Sequence, residues 1–386
     1  MKSIFILFGA TGDLAQKKIF PALDVLFSGG TISSDSKVIG VSRRDWDDEA
    51  FLDHVAKTSK KAPSAKFSAA LRYSKIDIGA GTGYEELASK IFQYKKEIPD
   101  AQIAVYLSLA PQFHAVVAKA LFKAGIAVRG QVKLLVEKPF GTNGATAREL
   151  NDVLTTGLDE ADIYRIDHYL SKEAAQCLMD ATDKHSDIKS IRARIFEEKG
   201  IDGRGESYDG VGAFRDVGQN HMLEMVALAL VSASGGARDG NWQSVRASVL
   251  SRLIPPENTC ADFRRGQYDG YLAEKGVSAG SVTETAFRVV TMLDRILIIL
   301  ESGKKMPSSE ASILVSYGDG SQESYDFKKG KEAYETMIAA ALRGSHREFV
   351  GLEEVLALWS YSDRAHACWD RVPLEIYSGQ KPFLVE

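Results

Sequence analysis

Apolar residues are distributed along this chain in two different ways, and the change between them falls near residue 166. In the first part, short runs rich in aliphatic and β-branched residues recur at intervals: Ile4–Phe8, Lys37–Val41, Ile103–Leu107, Lys133–Val136 and Ile163–Ile166. Runs that are apolar throughout predict strands buried on both faces, as in a parallel sheet. Between them, Leu14–Leu26, Asp48–Lys57, Tyr84–Tyr94, Phe113–Lys123 and Ala145–Leu154 carry apolar residues at helical spacing. This alternation predicts a doubly wound α/β domain. Beyond Ile166 the segments Ser190–Phe196, Thr285–Met292, Ile296–Leu300, Ser312–Tyr317 and Glu323–Phe327 read as strands without helices between them. Helices are expected around 217–230, 333–342 and 352–361, covering one face of that sheet. The second part is therefore an α+β domain around a largely antiparallel sheet, and the domains are placed at 1–166 and 167–386.

Composition narrows the field without naming a function. The chain has 386 residues, 45% hydrophobic and 26% charged, with a formal net charge of −4. It is long enough for two cores, and it lacks the basic field that drives binding to nucleic acid. Cys177, Cys260 and Cys368 are odd in number and widely separated. They argue for a reducing, cytoplasmic setting and against both a disulfide framework and a zinc site. The apolar start at Ile4–Phe8 is too short for a signal segment, and no run approaches the ~20 residues of a membrane span. Neither a membrane nor a metal is implied.

Three segments carry chemistry within the first domain. Gly9-Ala10-Thr11-Gly12-Asp13-Leu14 follows the first strand and opens a helix. Glycine there lets a pyrophosphate approach the backbone, and the helix N-terminus supplies donors, which makes this a Rossmann dinucleotide-binding domain. Taken alone the pattern is equally a tight turn. The second strand ends in Ser42-Arg43-Arg44, where an acidic residue would hold the ribose of NAD and a basic one the 2′-phosphate of NADP. Arginine pairs bidentately with phosphate, so Arg43 favours NADP; the plainer reading is a solvated pair. Glu137-Lys138-Pro139-Phe140-Gly141 closes another strand at the ligand-binding end of the sheet. Lys138 there can reach into the crevice and hydrogen-bond both a substrate hydroxyl and the nicotinamide side of the cofactor, unless it is an ordinary surface lysine.

The densest polar stretch is Arg165-Ile166-Asp167-His168-Tyr169-Leu170-Ser171-Lys172-Glu173. If a helix begins near Asp167, His168 and Lys172 share a face with Tyr169 beside them, a compact site for a dianion. A carboxylate would repel such a ligand, so Asp167 has another role, orienting a histidine. The candidate is His221, in Asp216-Val217-Gly218-Gln219-Asn220-His221. Oxidising a hydroxyl by hydride transfer to a nicotinamide requires a base, and histidine titrates in the right range. His221 is otherwise a satisfied polar residue at a helix entry. His54, His114, His185, His346 and His366 have no such company and read as surface or packing residues.

The collinear order of G-A-T-G-D-L-A, E-K-P-F-G, R-I-D-H-Y-L-x-K-E and Q-N-H closely resembles the glucose-6-phosphate dehydrogenase family. Arg265-Gly266-Gln267-Tyr268, Ser281-Val282-Thr283-Glu284-Thr285 and Ser302-Gly303-Lys304 continue the likeness through most of the chain. The resemblance implies oxidation of glucose 6-phosphate at C1 by NADP, giving 6-phosphogluconolactone at the entry to the pentose phosphate pathway. It implies that His221 is the base and Asp167 its partner, and that His168, Tyr169 and Lys172 hold the phosphate. By the same matching Lys138, Glu197, Asp216 and Lys304 contact sugar hydroxyls, while Gly9, Thr11, Gly12, Asp13, Leu14, Arg43 and Lys138 serve the cofactor. A homodimer through the second sheet is also implied. Two positions depart from the pattern: Ser171 replaces a usual glycine, and Glu301 brings a negative charge next to the sugar site. Two other readings stand beside this one. E-K-P also resembles the glucose-fructose oxidoreductase group of sugar and cyclitol dehydrogenases, and a trimmed sheet with Glu301 would suit an idle NADP-sensing protein.

Overall fold

The computed structural model describes residues 1–180, 187–237, 240–255, 260, 262–328, 333–369 and 371–378. The expectation for His185 lies outside these. Contacts divide the chain into one unit of residues 1–171 with 332–352, and another of 172–331 with 353–386.

In the first unit, β1 (Ser3–Phe8), β2 (Lys37–Ser42), β3 (Leu71–Lys75), β4 (Gln102–Leu107), β5 (Val132–Val136) and β6 (Ile163–Ile166) run parallel. The spatial order is β6-β5-β4-β1-β2-β3, so the direction of winding reverses between β1 and β4. In open α/β sheets, ligands bind at the carboxyl ends of the strands flanking such a reversal. The five expected strands are present, and β3 is one more. It was missed because Leu-Arg-Tyr-Ser-Lys is short, alternates in polarity and abuts the helix Ala65–Ala70.

The helix Ala333–Arg343, expected on the second sheet, belongs instead to the first unit. It packs against the helix Phe20–Ser28, and Tyr334, Met337 and Ile338 join the same core as Phe20 and Leu23. Residues Phe349–Val350 then pair antiparallel with β6 at the sheet edge. The chain thus returns to its first unit late, something no local pattern announces.

The second unit contains β7 (Ile188–Phe196), β8 (Phe263–Tyr268), β9 (Ala286–Leu293), β10 (Ile296–Gly303), β11 (Glu310–Tyr317) and β12 (Gln322–Asp326). Their order is β12-β11-β7-β10-β9-β8, extended at the β8 edge by Leu374–Tyr377. The pairs β7–β10 and β8 with Leu374–Tyr377 are parallel, and the other four are antiparallel. Cys260 and Cys368 form a disulfide across 108 residues of sequence. This corrects the expectation drawn from cysteine spacing, because distance along the chain says nothing about distance in the fold. Cys177 is exposed and free. No helix among the described residues is long and apolar enough to cross a membrane.

Candidate active site

The nucleotide turn begins where β1 leaves the sheet. Gly9 has φ +77°, and a Cβ there would lie 2.0 Å from the Ser108 carbonyl oxygen at the end of β4. Only glycine lets the chain tuck in so closely. The N–H groups of Gly9 and Ala10 donate to the Val41 carbonyl (3.1 and 3.2 Å), and that of Gly12 to Gly9 (2.9 Å). The turn is therefore stitched to the ends of β2 and β4. A π-helical turn, Ala15–Ile19, follows directly and runs on into Phe20–Ser28. Thr11 lies at the tip, Leu14 packs on the core, and the exposed Asp13 pairs with Lys17. Arg43 and Arg44 are exposed just beyond β2. A close-drawn glycine turn with two arginines at the neighbouring strand end fits the pyrophosphate and ribose-phosphate of a dinucleotide.

Lys138 is half-buried beyond β5, and its peptide bond to Pro139 is cis. Gly141 again has positive φ, with Ala147 N 2.5 Å from where a Cβ would stand. Sequence reasoning passed over the neighbour of Lys138. Glu137 is buried and accepts a short hydrogen bond from the Tyr106 hydroxyl. Burial pushes its carboxyl up to about 7 against the pull of Tyr106 and Lys138, and the Asp167 charge adds to the rise. The Tyr106 phenol is held well above its ordinary value by burial and by Glu137. The available signal was a lone carboxylate directly after the apolar run Leu134–Val136.

The stretch from Arg165 does not form the helix that was expected. Residues 168–171 are turns, and the helix is Glu173–Asp180. His168 and Lys172 therefore do not share a helical face. Asp167 is buried and accepts from Tyr169 N at 2.9 Å, which tightens the turn. The His168 ring stacks on Tyr334 at 5.9 Å and meets the edge of Tyr169 at 5.0 Å. Lys172, in the second unit, donates to the Phe327 carbonyl at 2.7 Å. Arg165 is 2% exposed, grips Glu160 bidentately (2.6 and 2.9 Å), donates to Asn151 and lies over the Phe140 ring. It is a structural residue that anchors the E-K-P-F-G loop to β6.

In the second unit three expected residues do come together. Lys304, 4% exposed, lies just past β10 and pairs closely with Glu197, just past β7, and with Asp216 at 3.4 Å. Its ammonium also faces the Tyr208 ring at 5.2 Å, and its carbonyl accepts from Tyr377 at 2.6 Å. Beneath it sits a cluster that includes Tyr208, Tyr268, Tyr271 and Met306. Asp216 and the buried His221 lie on one π-helix, Phe214–Met222. That helix presses close to the sheet, since a Cβ on Gly218 would meet the Phe287 ring at 2.8 Å. Wide π turns frequently mark functional sites, and here both precede a regular helix. Glu301 corrects an expectation. It stands opposite Arg194 and Arg288 in register and pairs with both, at 2.8 and 3.2 Å, so its charge is compensated across the strands. The motive it gave for an idle protein is removed.

The family profile described as "Glucose-6-phosphate dehydrogenase, NAD binding domain" matches residues 6–177, and that of the C-terminal domain matches 174–329. The glucose-6-phosphate 1-dehydrogenase of Bacillus subtilis is 31% identical over 82% of this chain and 71% of its own. That of Helicobacter pylori strain 26695 is 27% identical over 93% and 91%. The crystal structure of glucose-6-phosphate 1-dehydrogenase from Mycobacterium avium superposes with a TM-score of 0.82 at 26% identity, covering 98% of this chain and 94% of that one.

Proposed function

This chain belongs to the glucose-6-phosphate dehydrogenase family, and from that premise we propose a reading of its site. The chain is a glucose-6-phosphate 1-dehydrogenase, oxidising glucose 6-phosphate at C1 to 6-phosphogluconolactone with a nicotinamide dinucleotide, in the pentose phosphate pathway. NADP is the acceptor in this reading, supported by Arg43 and Arg44 beyond β2. When bound, it takes the hydride from C1.

The observation that carries the reading is the buried Lys304 held between Glu197 and Asp216. A buried ammonium flanked by two carboxylates offers donors and acceptors in alternation, the pattern needed by adjacent sugar hydroxyls. His221 takes the C1 hydroxyl proton, and Asp167 sets its tautomer and stabilises the imidazolium. His168, Tyr169 and Lys172 hold the 6-phosphate, whose binding energy positions C1. Lys138 serves both the sugar and the nicotinamide side. Gly9, Thr11, Gly12, Asp13 and Leu14 form the turn against the pyrophosphate. A homodimer through the second sheet belongs to the same reading. So does a cytoplasmic setting, since a hexose phosphate dianion does not cross a bilayer unaided.

The test is the rate of NADPH formation with a panel of sugars and sugar phosphates, repeated with NAD. Glucose 6-phosphate should be preferred by orders of magnitude over glucose. Equal rates on the two would overturn the phosphate assignment, and no rate on either would overturn the activity.

A further inference from the structure

One group of side chains lies beside the nucleotide turn and has no part in the reading above. Gln16 stands on the π-helical turn directly after Gly12-Asp13-Leu14. Its Nε2 is 2.9 Å from the Thr11 carbonyl and 2.9 Å from His54 Nε2. An amide nitrogen has two hydrogens and accepts nothing, so both contacts are donations. His54 Nε2 is therefore the acceptor, and the neutral ring carries its proton on Nδ1. The His54 ring lies 4.8 Å from Trp46, and the Arg44 guanidinium sits over that indole at 5.8 Å. Trp46 also faces the Tyr73 ring at 5.9 Å, and the Tyr73 hydroxyl donates to the Arg44 carbonyl at 2.7 Å. An unbroken chain of contacts runs from the tip of the nucleotide turn to an arginine at the end of β2.

We propose that Gln16, His54 and Trp46 are positioning residues that set Arg44 against a 2′-phosphate and thereby set the preference for NADP over NAD. This rests on the reading that a nicotinamide dinucleotide binds at the Gly9 turn. Arg44 is exposed on a loop, and an arginine free to sample its rotamers loses that freedom when it grips a phosphate. Stacked on Trp46, it is already ordered before the ligand arrives. Indole offers a face for the planar guanidinium while leaving its N–H fork open to phosphate. NAD has no 2′-phosphate, so ordering Arg44 does nothing for it. The same chain gives the Thr11 turn and the arginine a fixed spacing, which a dinucleotide bridging both requires.

Calorimetric titration of NADP and NAD into the full-length chain tests this with His54→Leu, His54→Gln, Trp46→Leu and Arg44→Ala. His54→Leu and Trp46→Leu should raise the Kd for NADP on the order of tenfold and leave that for NAD within about twofold. His54→Gln keeps an acceptor for Gln16 and should retain most of the affinity. Arg44→Ala, on an exposed loop where folding is not at stake, should show the same selective loss. Equal losses for both dinucleotides, or unchanged NADP affinity in Arg44→Ala, would overturn the proposal. So would a His54→Gln protein as impaired as His54→Leu. A wild-type chain that binds neither dinucleotide overturns the cofactor reading itself and this inference with it.

Discussion

The nucleotide turn and the Lys304 cluster are built on opposite principles. The turn relies on backbone and on the absence of side chains: Gly9 is pressed against Ser108, three N–H groups are spent on stitching, and the charged residues nearby are exposed. The Lys304 cluster relies on side chains, a buried ammonium between carboxylates that come from positions 197 and 216 over a floor of tyrosines. The first arrangement suits a ligand recognised by shape and phosphate dipoles, the second a ligand that must be oriented hydroxyl by hydroxyl. The proposed reading places the chemistry with the second arrangement, because His221 lies on the same π-helix as Asp216.

That assignment gives the largest expected effect. His221→Asn keeps a polar side chain on the π-helix and removes the proposed base. Turnover should fall by about 10²- to 10⁴-fold. The Kd for glucose 6-phosphate, measured by titration, should change little, because binding rests on other groups. An unaltered kcat would move the base elsewhere and dissolve the distinction between the two regions. The next effect falls on the nucleotide turn alone. Gly9→Ala places a methyl group 2.0 Å from a carbonyl oxygen at a φ of +77°, so the turn must shift. A cost of about 2–3 kcal/mol is expected. It should appear as weakened dinucleotide binding with the sugar phosphate affinity preserved. Loss of both affinities together would mean that the two arrangements are not separable.

The contrast also explains what the sequence disclosed. The nucleotide turn is legible because its determinants are contiguous: strand, glycines and helix lie within residues 4–26, and the apolar periodicity locates them without help. The Lys304 cluster is drawn from positions 107 residues apart; the order of motifs shared with a family named Lys304, Glu197 and Asp216 as sugar contacts, but not their pairing with one another. Two misreadings, and one residue left without a role, share a cause. Asp167–Ser171 was read as a helix start, but the Asp167 carboxylate closes a turn on Tyr169 N and delays the helix to Glu173. Arg165, which was given no role, serves packing through Asn151 and Glu160, and both lie outside its stretch. Glu301 seemed an intrusion until the register showed arginines on both sides. Each depends on neighbours that local pattern does not reveal.

The smallest expected effect concerns Glu137, the exception to the contrast, since it is a buried titrating side chain in the same unit as the backbone-built turn. Its carboxyl is raised to about 7 by burial, so in the folded chain it holds a proton that an unfolded chain has lost above about 4.5. Where the folded state binds the extra proton, stability falls as pH rises. The loss accumulates between roughly pH 4.5 and 7 and is constant above that. Glu137→Gln stays neutral throughout and still accepts from Tyr106. Its melting temperature relative to wild type should therefore climb as pH goes from 5 to 8, by the equivalent of about 2.5 kcal/mol. A difference that is flat with pH would show that Glu137 is already ionised and partnered at pH 5. In that case the region around β5 would resemble the Lys304 cluster after all, with buried charge held by pairing and not kept neutral by burial.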